Sequence, residues 1–296
     1  MLRKSIITAI FSAMLTLLAT VSMAATTADV IFVVDESGSM AGEHAWLNAM
    51  VTTLDANLAL AGVTNNQYGL VGFGAYGADM YPHSHAVGGG NWGTAAQLAT
   101  ATGSLLTNGG TEDGWAAISY ALSTYSFRSN AAVNIILVTD EDRDNTNGSV
   151  TYATTLAALQ GKNALLNAVV NAYYSGGALG ITKNDQDPTT AGNQNAYIAD
   201  GSGGYTYGLD GVATSSGDGS TIGDYVNLAI ASGGAAWNLN LLRAGGNTAI
   251  SFTNAFIDAK VTEIQEQHPA VPEPATMVLL GIGLVGVAAI RRKKNN

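Results

Sequence analysis

Asp29-Val30-Ile31-Phe32-Val33-Val34, running directly into Asp35-Glu36-Ser37-Gly38-Ser39-Met40, decides how this 296-residue chain is read. The first stretch is apolar and β-branched, the pattern of a strand buried on both faces. It stops where acidic and hydroxyl side chains begin. In an open α/β sheet the loops at the carboxyl ends of the strands build the binding site. There one carboxylate and two serines at alternate positions can turn their oxygens onto one point, and Gly38 permits the tight loop. Oxygen donors on a short turn suit a hard divalent cation, Mg²⁺ or Mn²⁺, better than zinc.

Two further segments complete the pattern. Gly109-Gly110-Thr111-Glu112-Asp113-Gly114 opens a stretch in which Trp115, Ile118, Leu122 and Tyr125 recur at helical spacing. Val133-Asn134-Ile135-Ile136-Leu137-Val138 is a second buried strand, ending in Thr139-Asp140. Asp-x-Ser-x-Ser, then Thr, then Asp, each at a strand or helix boundary, resembles the metal-ion-dependent adhesion site of the von Willebrand factor A domain family. The resemblance implies a Rossmann-like, doubly wound α/β fold, with a mainly parallel sheet and helices on both faces. It also implies that Ser37 and Ser39 bind the metal directly, Thr111 directly or through water, and Asp35 and Asp140 mostly through waters. One coordination position stays open for a carboxylate of a partner. Glu36 and Glu112 fall at variable positions of the pattern and carry no expected role.

The ends of the chain read differently. Arg3 and Lys4 precede an apolar run over 6–21, and Ser22-Met23-Ala24 offers small residues before Ala25, the pattern of a secretory signal peptide over 1–24. Residues 268–275 form a proline-rich linker containing Pro272-Glu273-Pro274. Residues 276–290 are uncharged and largely apolar, and 291–296 begin Arg291-Arg292-Lys293-Lys294. Fifteen helical residues reach only about 22 Å against a hydrocarbon core of about 30 Å, so hydropathy alone leaves a short membrane anchor undecided. The order Pro-Glu-Pro, apolar helix, basic cluster resembles the PEP-CTERM sorting signal of Gram-negative bacteria. That resemblance implies processing by an exosortase near Pro272-Glu273-Pro274, in organisms that often make extracellular polysaccharide. The basic tail is expected to stay cytoplasmic.

Between the ends, 25–267 reads as one large domain of alternating strands and helices, the arrangement of a parallel sheet covered on both faces. Helix is expected where Trp46, Met50, Leu54 and Leu58 recur, over 151–160, 225–231 and 252–265; strand over 67–73, 164–173 and 235–239, with a short one over 85–87. Residues 175–220 interrupt this rhythm with eleven glycines among Asn, Asp, Ser and Thr, and read as a decorating insertion. A hairpin over 195–209, turning at Asp200-Gly201-Ser202-Gly203-Gly204, is expected inside it.

Composition narrows the function. The formal charge is −10, and residues 25–275 hold all 22 acidic side chains but only six of the twelve basic ones, a formal −16. Nucleic-acid binding is excluded as a reading, because nothing would neutralise phosphates. With no cysteine, disulfides and thiolate metal sites are excluded too. His83-x-His85 has no further His or Cys nearby to complete a transition-metal site and reads as surface loop. Asp140, Asp142 and Asp144 alternate like a calcium loop, but Asn145 and Thr151 stand where Gly and Glu are needed. Gly281-x-Gly283-x-x-Gly286 sits inside the terminal apolar segment, without the strand and helix of a dinucleotide site. No catalytic residue is nominated. The preferred expectation is an exported, surface- or membrane-anchored adhesion module, not an enzyme, with a protein or polysaccharide ligand that presents a carboxylate. The alternative is a metal-dependent hydrolase of extracellular polymers, which needs a general base and a cleft.

Overall fold

The computed structural model describes residues 27–183 and 194–267. The expected signal peptide, linker, sorting motif, terminal helix and basic tail, and positions 184–193, lie outside the described residues. Strand β1 (Thr27–Asp35) is buried along its whole length, as its apolar run requires. Its side chains alternate between two cores: Val30, Phe32 and Val34 enter one, Ile31 and Val33 the other.

Parallel partners flank β1 on both sides, β2 (Gln67–Phe73) and β4 (Ala131–Thr139), and β5 (Ala164–Val170) and β11 (Ala235–Asn238) continue the parallel array. The first core is closed by helices α1 (Ala41–Leu60) and α2 (Ala95–Ala101), and by α7 (Gly246–Gln267). In α1, Leu47, Met50, Val51, Leu54 and Leu58 form the buried stripe. The second core lies under α3 (Gly114–Thr124), α4 (Tyr152–Gly161) and α5 (Asn227–Ser232). Thr151 starts α4 through a reciprocal cap with Thr154. Helices thus cover both faces of a mainly parallel sheet, the fold class expected from the sequence.

Three features differ from the sequence reading. The short strand is β3 (His83–His85), two residues earlier than expected, paired antiparallel to β2 through Gly72 and His83. Val87 instead bridges Gly90 across a turn. The glycine-rich stretch 175–220 is largely sheet: β7 (Gly180–Thr182), β8 (Gln194–Ala199) and β9 (Tyr205–Gly211) extend the main sheet antiparallel beyond β11. The hairpin of β8 and β9 is present, its turn tied by Asp200 Oδ1 accepting from the Ser202 and Gly204 amides. Gly180 needs its lack of a side chain, since a Cβ there would sit 2.3 Å from the Trp237 ring. β10 (Ala213–Ser216) pairs with β6 (Ala172–Tyr174) in a separate two-stranded sheet. The third feature is α6 (Leu239–Arg243), a short helix between β11 and α7. Residues 26–267 make one compact unit. Among the described residues no helix is long and apolar enough to cross a membrane.

Candidate metal centre

After β1 the chain passes to β2 on one side, and it reaches β4 on the other. The boundary between β1 and β4 is therefore the topological switch point, where a crevice opens at the carboxyl ends of the strands. Asp35 ends β1 and Asp140 follows the last residue of β4. The Asp35 carboxylate is held rigidly: Oδ1 accepts from the Ser37 amide at 2.7 Å, and Oδ2 from the Thr139 hydroxyl at 2.8 Å. The first bond closes the local turn that brings the serines round. Ser37 Oγ lies 3.1 Å from Ser39 Oγ, which donates to Asp140 Oδ1 at 3.0 Å. The side-chain oxygens of Ser37, Ser39 and Asp140 are thus joined in one chain of contacts, and Asp35 is tied to it through the Ser37 amide. Thr111 is half-buried on the loop before α3 and makes no side-chain hydrogen bond among the described residues. It does not cap α3; Asp113 does, accepting from the Ala116 amide at 3.1 Å.

Burial makes this set electrostatically costly. Asp35 is fully buried, and burial pushes its carboxyl up to about 7, against the lowering effect of the Ser37 and Thr139 hydrogen bonds. Glu112, also fully buried, has both carboxylate oxygens without a hydrogen-bond partner. Burial first, then the charges of Asp35, Glu141 and Asp144, hold it well above the usual carboxylate range. Gly74 marks how closely Glu112 and Asp35 approach: a Cβ there would meet Asp35 Oδ1 at 3.1 Å and Glu112 Cγ at 3.2 Å. A buried acidic group with no basic partner, close to other carboxylates, fits a site completed by a cation. The donors are carboxylates and hydroxyls, so the residues fit a hard divalent ion.

Two structural residues went unread in the sequence. Arg243, at the end of α6, donates from Nη2 to Asp140 Oδ2 at 2.9 Å and to the Ser39 carbonyl at 3.3 Å. Its Nε donates to Glu43 Oε1 at 2.7 Å. Arg243 and Asp140 are 103 positions apart, and no local pattern announces such a pair. Its only sequence signal is scarcity, as one of six basic residues in 25–275. Glu36, expected to have no role, is fully buried and turned away from the Asp35 set. Its Oε1 accepts from the Leu106 amide at 2.7 Å, and its oxygens lie 3.1 Å from His83 Nε2 and 3.0 Å from His85 Nε2. The histidines are therefore not an isolated surface pair, because a carboxylate 47 residues upstream of His83 completes the group. Asp142 and Asp144 are occupied in loop bonds: Asp142 Oδ2 accepts from the Ser220 amide, and Asp144 Oδ2 from the Glu112 amide.

The family model described as the von Willebrand factor type A domain matches residues 29–185, just over half of the chain. The model of the PEP-CTERM protein-sorting motif matches residues 270–293. No curated protein matches. Among solved structures, proximal thread matrix protein 1 from the mussel byssus is 14% identical at a TM-score of 0.38, over 49% of this chain and 35% of that one. A structure of the same mussel protein with a zinc-occupied MIDAS motif is 18% identical at 0.37, over 49% and 36%. The pilus adhesin SpaC from Lactobacillus rhamnosus GG is 19% identical at 0.36, over 49% and 24%. The chain spans between about a quarter and a little more than a third of the length of these three. The sorting motif marks export and membrane anchoring in Gram-negative bacteria and processing by an exosortase. Type A domains are generally interaction modules, typically with a divalent metal at the adhesion site, and this chain belongs to the von Willebrand factor type A domain family.

Proposed function

We propose that this protein is an exported, divalent-metal-dependent adhesion module, held at the membrane by the segment over 276–290 and displayed towards the cell surface or extracellular matrix. Asp35, Ser37, Ser39, Thr111 and Asp140 hold Mg²⁺, or Mn²⁺, and its open position takes a carboxylate from a protein or polysaccharide partner. One observation carries the reading: Ser37, Ser39 and Asp140 join side-chain oxygens at the sheet's switch point, next to buried Asp35, which holds the Ser37 amide and has no basic partner. When bound, the cation supplies the positive charge that lets a strongly acidic domain accept an acidic ligand. Ser39 is exposed, so it stands at the ligand side, while buried Asp35 and Ser37 fix the floor. The interaction reading is preferred to hydrolysis because Glu112, a carboxylate beside the proposed centre, is sealed from solvent and cannot reach a substrate's proton.

The test measures attachment of the full-length chain to its native extracellular material. Attachment in Mg²⁺ is expected to collapse in excess chelator and in Asp140→Ala. In about 0.5 M sodium chloride, where the screening length is ~4 Å, it is expected to weaken much less, since a directly coordinated carboxylate is poorly screened. Binding retained in chelator but lost in salt rejects the metal-bridged mechanism.

A further inference from the structure

His83 and His85 flank Ser84 on β3, so both rings leave the same face of the strand. Each ring has its Nδ1 committed. His83 Nδ1 lies 3.0 Å from the Tyr81 carbonyl, which can only accept, so Nδ1 carries the proton. His85 Nδ1 lies 2.9 Å from Ser104 Oγ, and that hydroxyl spends its own proton on the Ala101 carbonyl at 2.7 Å. Ser104 therefore accepts, and His85 Nδ1 is protonated as well. Each ring then faces the Glu36 carboxylate through Nε2, with a lone pair there in the neutral form, and the carboxylate pushes the His83 imidazole above its usual pKa. This tautomer, with Nδ1–H anchored on backbone or hydroxyl and Nε2 free, is the one that metal-ligating histidines use.

The contacts with Glu36 are close but not directed as hydrogen bonds. Buried Glu36 Oε2 and His85 Nε2 both lack a hydrogen-bond partner. A metal ion between the rings and the carboxylate would satisfy all three groups. Bonds of about 2.0–2.2 Å put tetrahedral ligand atoms ~3.3 Å apart. His83 Nε2 lies 3.1 Å from Oε2 and His85 Nε2 3.0 Å from Oε1, and one ligand atom from each of the three residues falls within 4.8 Å of the others, a spread that a small shift brings to that distance. Gly72, across from His83, leaves the room: a Cβ there would lie 2.3 Å from Glu36 Oε2 and 2.7 Å from His85 Nε2. The His83 side chain is 26% exposed, so the fourth position opens to solvent.

We infer that Glu36, His83 and His85 form a second metal site, for a zinc-class transition ion bound by two imidazoles and one carboxylate. Its donors are nitrogen-rich, unlike the all-oxygen set around Asp35, so the two sites sort different metals. Glu36 is also the physical link between them. Its amide donates to the Phe73 carbonyl at the end of β2, and its carbonyl accepts from the Asn108 amide at 2.9 Å. An ion on its side chain would brace the Asp35–Ser39 turn against β3 and against the loop that carries Thr111.

Equilibrium dialysis of the full-length protein against Zn²⁺, with excess Mg²⁺ present, tests the site, and Co²⁺ substitution reads its geometry by visible absorption. One equivalent of Zn²⁺ is expected to remain bound, and Co²⁺ to give the intense bands of a tetrahedral site. His83→Gln and His85→Gln are each expected to weaken Zn²⁺ at least tenfold. Ser104→Ala, a mild change at an exposed residue, is expected to weaken it about 10- to 100-fold by freeing the His85 tautomer. Asp140→Ala is expected to leave it unchanged, which separates this site from the adhesion site. No Zn²⁺ uptake in excess Mg²⁺, or uptake unchanged by all three of the His83, His85 and Ser104 variants, overturns the inference and leaves an imidazolium–carboxylate contact.

Discussion

Strand β1 buries an aspartate near each end, and the two are neutralised in different ways. Asp29, near the start, meets Arg128: the Arg128 amide donates to Oδ2 and its Nε to Oδ1, both at 2.7 Å, and the guanidinium forms an ion pair. Asp35, at the other end, has one amide and one hydroxyl but no basic side chain. Six positions apart on the same strand and equally buried, one carboxylate is balanced within the chain. The other is left to be balanced from outside. That asymmetry separates a carboxylate that holds the fold from one that waits for a ligand.

The strongest way to break the comparison is to remove the balanced charge. Asp29→Ala leaves the Arg128 guanidinium without its partner and is expected to cost about 3 kcal/mol, at the low end for a buried pair because Arg128 is one-third exposed. Urea midpoints should fall equally with and without Mg²⁺. A loss confined to Mg²⁺-containing buffer would show that Asp29 also serves the cation.

A second test uses pH in the presence of chelator. Asp35 titrates at about 7 in the fold against an ordinary 3.8, because burial disfavours its charge. Between those values the folded state binds more protons than the unfolded one, so stability falls as pH rises from about 4 to about 7. The loss should amount to roughly 2–3 kcal/mol, below the ceiling of about 1.4 kcal/mol per pH unit. Asp35→Asn should remove the Asp35 share of this slope. A wild-type stability that climbs through the same window would contradict the assignment.

Mg²⁺ itself sharpens the contrast most gently. At thirtyfold excess over its Kd, binding to the native state adds about 2 kcal/mol, or roughly 4–8 °C in Tm for a domain of this size. Scanning calorimetry should find that increment in wild type and in Asp29→Asn, and not in Asp35→Asn. A full shift in Asp35→Asn would place the cation elsewhere.

The two ends of β1 also show what a sequence reveals. β1 and β4 were legible because a strand buried on both faces is a continuous apolar run, and the Asp35 turn because its donors sit two apart. The helix carrying Trp46, Met50, Leu54 and Leu58 was legible through its period. What escaped was long-range pairing. Arg243 reaches Asp140 from a five-residue helix too short to show a period. Glu36 reaches His83 and His85 because β3 folds back antiparallel on β2, a register no local pattern carries. Glycine content made 175–220 read as a decorating insertion, where it in fact extends the main sheet, and glycines there accommodate close approach, as Gly180 does against Trp237. Nor does a place at a strand end tell that Asp35 is completely buried.

Arg243 gives the rim of the centre a counter-charge that cannot be diluted away. A divalent ion leaves its donors by mass action when its concentration falls, but a guanidinium on α6 stays at the same effective concentration whatever the medium. With the ion gone, Asp140, Glu43 and the Ser39 carbonyl remain gathered on one side chain. The cost of emptiness then falls on Asp35 and Glu112, which can shed their charge by taking up protons. Arg243 thus holds this rim together from within the chain.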